Sequence, residues 1–322
     1  MRLIRGLTNL KRLSERADSP LADGCVATIG NFDGVHLGHK TIIEQVKEKA
    51  LVLGVPSVVM IFEPQPREFF QGGEAPPRLM PFRQKFEALL AEGIDMVLCI
   101  RFDDTFRSYS AMGFVEDVLI KGLAVRHMVV GDDFRFGCDR AGDFRLLEQV
   151  GQEHSFTVEN TRTVTVDGER VSSTRVRNAL NVNGLEEAER LLGHPYRIHG
   201  RIVYGRQLGR QIGAPTANIL LDQMPALRGV YVVRARPEGG DWLDGIANIG
   251  LRPTIDGKRP SLEVHLFGFA GTLYGQHLDV VFRHGLRNEV KFDSIDDLRQ
   301  QIARDFEHAR AWLADNPAGP TN

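Results

Sequence analysis

Between Cys25 and about Gly151, short apolar runs alternate with stretches of helical period. "CVATIGNF", "PSVVMIF", "DMVLCIRF" and "RHMVVG" are too continuously apolar for strands with a wet face, so they predict a parallel sheet joined by crossover helices. The clearest helix starts near Leu37, with Ile42, Ile43, Val46, Ala50 and Leu53 on one face and Glu44, Lys47, Glu48 and Lys49 on the other. After Asn183 and Gly184 the pattern changes. A short helical piece, "LEEAERLLG", leads into the strand-like runs "YRIHGRIVYG", "GVYVVRAR", "SLEVHLFGF" and "LYGQHLDVVF", separated by Gly and Pro at the spacing of a barrel or sandwich. A final helix opens at Ser294 with Asp297 three residues on. Its apolar stripe, Ile295, Leu298, Ile302, Phe306, Ala309 and Leu313, is expected to cover the barrel. Two domains follow, 1–184 and 185–322, with no internal repeat and a tail, "DNPAGPTN", that reads as frayed.

Composition narrows the function. With 42% apolar and 25% charged residues over 322 positions, the chain reads as an ordinary globular protein with room for a large core. A formal net charge of −2 offers no broad basic surface, which argues against nucleic acid or an anionic membrane as partner and favours small-molecule chemistry. Cys25, Cys99 and Cys138 are odd in number and widely spaced, so neither a disulfide framework nor a structural zinc site is suggested, and a reducing cytoplasm fits. The opening "MRLIRGLTNLKRL" is basic and apolar but is followed by no cleavage-site pattern, and no run elsewhere is long enough to span a bilayer.

Candidate chemistry collects at strand ends. In "GNFDGVHLGHK" (30–40), a strand ending near Gly30 and a helix beginning near His36 would set His36 and His39 where unpaired amides and the helix dipole favour an anion. Gly38 between them would let a ligand approach the backbone. A structural pair of histidines is the plain alternative. In "VSSTRVRNAL" (171–180), Ser172, Ser173 and Thr174 offer hydroxyls at a helix start, with Arg175 and Arg177 following, a set that can hold a triphosphate or merely cap a helix. "GDDFRFGCDRAGD" (131–143) crowds glycines, aspartates and aromatics at another strand end, where open α/β sheets bind ligands, and Asp143 there can cap the following helix.

At these motifs the first half resembles the nucleotidylyltransferase superfamily, with "HLGH" as its H-x-G-H signature. "FDGVHLGH", "GDDFRFG" and "SSTRVR" together resemble the FMN adenylyltransferase half of bacterial bifunctional FAD synthetases. The second half is similar to the riboflavin kinase module of the same enzymes through "GRIVYGRQLGRQIGAPTANI" (200–219), "GVY", "NIGLRPT", "LEVHLFGF" and "LYG". The resemblance implies a Rossmann-like nucleotidylyltransferase domain followed by a small Greek-key β-barrel with a C-terminal helix.

It also implies two reactions: ATP phosphorylates riboflavin to FMN, and FMN then attacks the α-phosphorus of a second ATP to give FAD and pyrophosphate. For adenylylation it points to His36 and His39 at the α-phosphoryl, Gly30, Phe32, Asp33, Gly38 and Asp133 around the nucleotide, and Ser172, Ser173, Thr174 and Arg177 at the outer phosphates. For phosphorylation it points to Gly205, Gly209 and Gly213 as a phosphate loop, Thr216 and Asn218 as ligands of Mg²⁺ and ATP, and Glu263 as base for the riboflavin 5′-hydroxyl. On pattern alone Glu263, alternating with Leu262 and Val264, reads as a solvated strand residue. Both transfers rest on positioning and charge neutralisation and need no covalent intermediate. The loop "IFEPQP" departs from the family pattern, with Ile61 and Gln65 where a threonine and a histidine are frequent, and Asp133 stands where some members carry Asn.

Overall fold

The structure is a computed structural model that describes residues 2–205, 214–254 and 257–317. Gly209 and Gly213, both expected in the phosphate loop, lie outside the described residues. The chain divides into two compact units, Met1–Pro76 with Met80–Ser173, and Pro77–Leu79 with Thr174–Asn322.

The first unit is built on a six-stranded sheet of β1 (Leu3–Arg5), β2 (Cys25–Ile29), β3 (Ser57–Glu63), β4 (Met96–Arg101), β5 (Val125–Val130) and β6 (Thr157–Asn160). All pairs are parallel, in the order β1-β4-β3-β2-β5-β6. The continuous apolar runs arise because successive residues feed two cores. Val26, Val59, Val97 and Val129 face α2 (Leu37–Leu53) and α3 (Phe82–Ala91), while Ala27, Met60, Leu98 and Met128 face α1 (Gly6–Ser14) and α4 (Phe144–His154). Asp143 caps α4, its carboxylate accepting from the Leu146 N–H at 2.9 Å. The opening residues, basic and apolar in sequence, form the edge strand β1 against β4. β3 lies on one side of β2 and β5 on the other, so the direction of winding reverses at β2. Ligands of open α/β sheets bind at the carboxyl ends of the strands at such a reversal.

From Thr174, within α5 (Ser173–Asn181), the chain belongs to the second unit, which goes on through α6 (Leu185–Leu192) into a closed barrel. Its strands are β7 (Arg197–Val203), β8 (Ala217–Leu220), β9 (Gly229–Pro237), β10 (Leu243–Thr254), β11 (Gly257–Leu266) and β12 (His277–Arg287), every pairing antiparallel. β9, β10 and β11 are successive neighbours and β12 returns beside β9, which is a Greek key. The contacts divide the chain at Ser173/Thr174, earlier than Gly184, where the sequence pattern changes. One reason is visible at Tyr231, whose single hydroxyl proton is shared between Asn183 Oδ1 and the Arg228 carbonyl, tying the segment after α5 into the barrel unit.

α7 (Ile295–Asp315) is capped by Ser294, whose hydroxyl accepts from Asp297 N–H at 3.1 Å. Phe306, Ala309 and Leu313 pack on Val230, Val232 and Ile246, as the stripe predicts. Ile295 does not belong to that stripe: as the first helical residue it is 66% exposed. Asp305 takes the buried position instead, gripped by Arg287 through Nε at 3.0 Å to each oxygen and Nη2 at 2.7 Å.

Candidate active sites

The loop between β2 and α2 is held in unusual backbone conformations. Phe32 (φ 46°), Gly34 (φ 89°) and Val35 (φ 40°) lie in the left-handed region, and Phe32 and Val35 are buried. Non-glycine residues there cost about 1–3 kcal/mol each and persist where the surroundings over-determine them, commonly at functional sites. The loop delivers His36 as the cap of α2. Its Nδ1 accepts the His39 N–H at 3.3 Å, which leaves the proton of the neutral ring on Nε2 as a donor. The two rings stack at 3.6 Å and 15°, with Phe32 at 4.8 Å from His39. Gly38 makes a close approach: a Cβ there would lie 3.2 Å from the His36 ring and 3.4 Å from the Val171 carbonyl. Gly30 sits likewise against Phe32, whose ring would be 3.2 Å from an added Cβ.

That Val171 contact shows the second motif folding back onto the first. Ser173 Oγ donates to the Asp33 carbonyl at 2.9 Å across 140 residues of sequence, and Asp33, itself buried, accepts the Met80 N–H at 3.3 Å. Ser172 is half-buried beside it. Thr174 and Arg177 belong to the other unit, where Thr174 is exposed and Arg177 Nε donates to the Pro77 carbonyl at 2.7 Å. Asp133 is exposed on the loop leaving β5, the strand next to β2, so its loop opens on the same sheet edge. The neighbouring Asp132 N–H is fixed by Asn160 Oδ1 at 3.1 Å, and a Cβ on Gly131 would come within 2.7 Å of Asp133 Oδ1.

In the barrel, strand register assembles a polar row. Asn218 on β8 stands opposite Glu263 on β11, which stands opposite Asn248 on β10, so the three share one face at cross-strand spacing. Asn218 Nδ2 donates to the Thr216 carbonyl at 3.2 Å and hydroxyl at 3.3 Å. Gly205 is approached more closely than Gly38, since an added Cβ would meet the Asn218 side-chain amide at 2.7 Å. Two clefts meet at Thr216. One is lined by Gly205, Asn218, Phe269 and Tyr274; the other, about 320 Å³, by Asn248, Glu263, Arg287, Glu289 and Asp305. Glu263 is thus a half-buried cleft residue rather than a solvated one.

Both halves of the chain have counterparts in known proteins. The FAD synthetase family model matches residues 18–175 and the riboflavin kinase family model residues 192–313. The chain is 52% identical over 98% of its length to the bifunctional riboflavin kinase/FMN adenylyltransferase of Pseudomonas fluorescens, covering 98% of that protein. It belongs to the bifunctional riboflavin kinase/FMN adenylyltransferase family. The Escherichia coli K12 member is 48% identical over 97% of this chain and 98% of its own. A crystal structure described as a macrolide-efflux protein from Streptococcus pneumoniae superposes with a TM-score of 0.74 at 30% identity, covering 90% of this chain and 94% of that one. Efflux is said of that protein alone. In this family member no helix among the described residues is long and apolar enough to cross a membrane.

The two departures from the family pattern have structural places. Ile61 is a fully buried core residue of β3, and Gln65 is buried as the cap of a short helix, its N–H donating to Glu68 Oε2 at 2.9 Å in a capping box. Three supporting residues have no local signal in the sequence. Arg287 and Asp305 form the bidentate pair in the larger cleft wall. Gln45, buried on α2, ties that helix to the sheet edge by donating to Glu159 Oε1 at 2.8 Å and accepting the Arg162 N–H at 2.8 Å.

Proposed function

We propose that this chain phosphorylates riboflavin with ATP to FMN and adenylylates FMN with a second ATP, giving FAD and pyrophosphate. The observation that carries this reading is the presence of both assembled clusters on one chain that its bifunctional relatives match end to end. We assign adenylylation to residues 1–184 and phosphorylation to 185–322. We place the enzyme in the cytoplasm, where its three unpaired cysteines would stay reduced.

In the adenylylating half, the FMN phosphate is already an anion and needs no base. The barrier lies in bringing it onto a polyphosphate and in the charge that spreads over the phosphoryl oxygens. His36 Nε2–H and His39, with the α2 N-terminus behind them, supply donors at the α-phosphoryl. Ser172, Ser173, Thr174 and Arg177 serve the leaving pyrophosphate, and Asp133 the nucleoside.

In the phosphorylating half the nucleophile is a neutral hydroxyl. Glu263 accepts its proton as the riboflavin 5′-oxygen forms a bond to the γ-phosphorus and the bond to ADP breaks. Thr216 and Asn218 present hydroxyl and amide oxygens, hard donors of the kind Mg²⁺ prefers, and no cluster of three or more His, Cys, Asp or Glu suited to a metal occurs among the described residues. Bound there, a divalent cation would share its coordination with phosphate oxygens and water and would neutralise phosphoryl charge.

The test resolves flavins by chromatography after incubating the purified protein with ATP, Mg²⁺ and either riboflavin or FMN. His39→Ala should stop at FMN, slowing adenylylation by about 10²-fold, the scale for one lost transition-state donor. Glu263→Gln should make neither product from riboflavin yet convert FMN to FAD at the parent rate. A parent protein that forms FAD only from supplied FMN would reduce the barrel to a flavin-binding module. One that turns over neither substrate would leave a flavin-sensing protein.

A further inference from the structure

The turn that carries Asp133 is closed on itself and then tied down. The Phe134 N–H donates to the Gly131 carbonyl at 3.0 Å, closing residues 131–134 at the end of β5. Such a turn makes no use of the Asp132 N–H, which donates instead to Asn160 Oδ1 at 3.1 Å, on the neighbouring strand β6. Asn160 opens a strap that runs to α2. Its carbonyl accepts from Gln45 Nε2 at 3.2 Å, the Arg162 N–H donates to Gln45 Oε1 at 2.8 Å, and Arg162 Nη2 meets Glu48 Oε2 at 3.0 Å. Gln45 is buried on the helix that His36 caps, so residues 160–162 brace the Asp133 turn against the histidine helix.

We propose that Asn160 is a positioning residue for adenylylation, which holds the Asp133 turn in its ATP-ready place beside α2. Asn160 and Asp132 are both exposed, so water could satisfy the Asp132 N–H as well. The bond therefore adds orientation rather than relief of a buried group. Orientation matters here because a nucleotide held at its nucleoside by the turn and at its α-phosphoryl by the histidines is in line for attack only when the two holders keep their spacing. A turn that is ordered beforehand spends no ATP binding energy on its own ordering. Asn160 acts through the turn, not on the substrate. The proposal rests on the reading that Asp133 serves the nucleoside.

The experiment is steady-state FAD formation from FMN and ATP by the full chain, each substrate varied in turn, for Asn160→Ala, Asp133→Ala and the double variant. Asn160→Ala should raise the KM for ATP about fivefold, the scale of one hydrogen bond. The KM for FMN, the kcat and riboflavin phosphorylation should stay within about twofold, because only the ordering of the turn is lost. In the Asp133→Ala background the same substitution should change the KM for ATP by less than about twofold, since the residue it positions is gone. Amide hydrogen exchange of the substrate-free protein should quicken in the peptide spanning residues 131–136. An unchanged KM for ATP in Asn160→Ala overturns the proposal. So does a fivefold effect that persists without the Asp133 carboxylate, or an equal rise in the KM for FMN together with a lowered unfolding midpoint. Asp133→Ala alone tests the underlying reading: a parent KM for ATP there removes Asp133 from the nucleoside, whatever Asn160→Ala does.

Discussion

Gly38→Ala separates stability from chemistry at the proposed adenylylation site. Gly38 lies in the first turn of α2, where alanine is the better helix former, by up to about 0.5–1 kcal/mol. The new methyl would, however, stand 3.2 Å from His36 Cε1 and Nδ1, closer than van der Waals contact, with the Val171 carbonyl 3.4 Å away. The imidazole must yield by a few tenths of an ångström. It is held by the 3.3 Å bond from His39 N–H and the 3.6 Å stack on the His39 ring, so yielding disturbs both histidines together. Misplacing a reacting group by 1 Å can cost about 10²-fold, so a shift of a few tenths should cost about tenfold in kcat/KM for FMN adenylylation. Urea unfolding of the first unit should show no loss of stability, and riboflavin phosphorylation by the same preparation should match the parent. The assay is FAD formation from supplied FMN and ATP. A rate within twofold of the parent would mean that the close approach is slack and that the glycine serves neither histidine.

Three further outcomes follow from other parts of the structure. Asp305→Ala leaves the Arg287 guanidinium half-enclosed without its carboxylate, which should cost about 3–5 kcal/mol in a denaturant titration and raise the KM for riboflavin, since both residues line the larger cleft; a loss under about 1 kcal/mol would refute the pair's role in seating α7. Burial pushes the Asp279 carboxyl up, but the His199 hydrogen bond and the charges of His199, Arg197 and Arg236 outweigh it and hold it below its ordinary value. Its stabilisation is therefore present above the usual carboxylate range and lost as pH falls through the depressed folded value, so Asp279→Asn should flatten the acid limb of the stability profile, and an unaltered limb would remove Asp279 from it. Burial and the Glu63 charge push the Cys99 thiol up to about 11 and burial pushes Cys25 up as well, so at pH 8 a thiol reagent should modify the exposed Cys138 first; faster labelling of Cys99 would contradict its enclosure.

The central strands of the sheet were legible because each is buried on both faces and so writes a continuous apolar run. Edge strands leave no such trace: β1 is three residues among arginines, and β6 has both ends exposed. β10 escaped for a different reason. Its glycines, Gly245 and Gly250, break the alternation because added Cβ atoms would strike the His265 carbonyl and the Glu289 carboxylate, so crowding of the barrel wall erases the strand signal. The site motifs were legible as short strings, but their meeting was not. Nothing local says that Ser173 will reach Asp33, or that Asn218, Glu263 and Asn248 will fall in one row; those depend on sheet order and register. The Arg287–Asp305 pair is hidden in the same way, since each residue alone looks like a solvated charge.

On the proposed assignment, the two halves meet phosphoryl chemistry with opposite charge, and the nucleophiles explain why. A phosphate anion attacking a polyphosphate gains nothing from a nearby carboxylate, which would add repulsion without a proton to remove. The loop after β2 accordingly offers imidazoles and helix amides, and its one carboxylate, Asp33, is buried and turned to accept the Met80 N–H. A neutral hydroxyl needs a proton acceptor, and the barrel brings Glu263 into the wall of a cleft where Glu289 and Asp305 also stand, with Arg287 bound to Asp305 so that the charges are partly compensated. On the proposed assignment the devices are not interchangeable at the adenylylation site, because a carboxylate in place of His36 would face the incoming FMN phosphate with like charge.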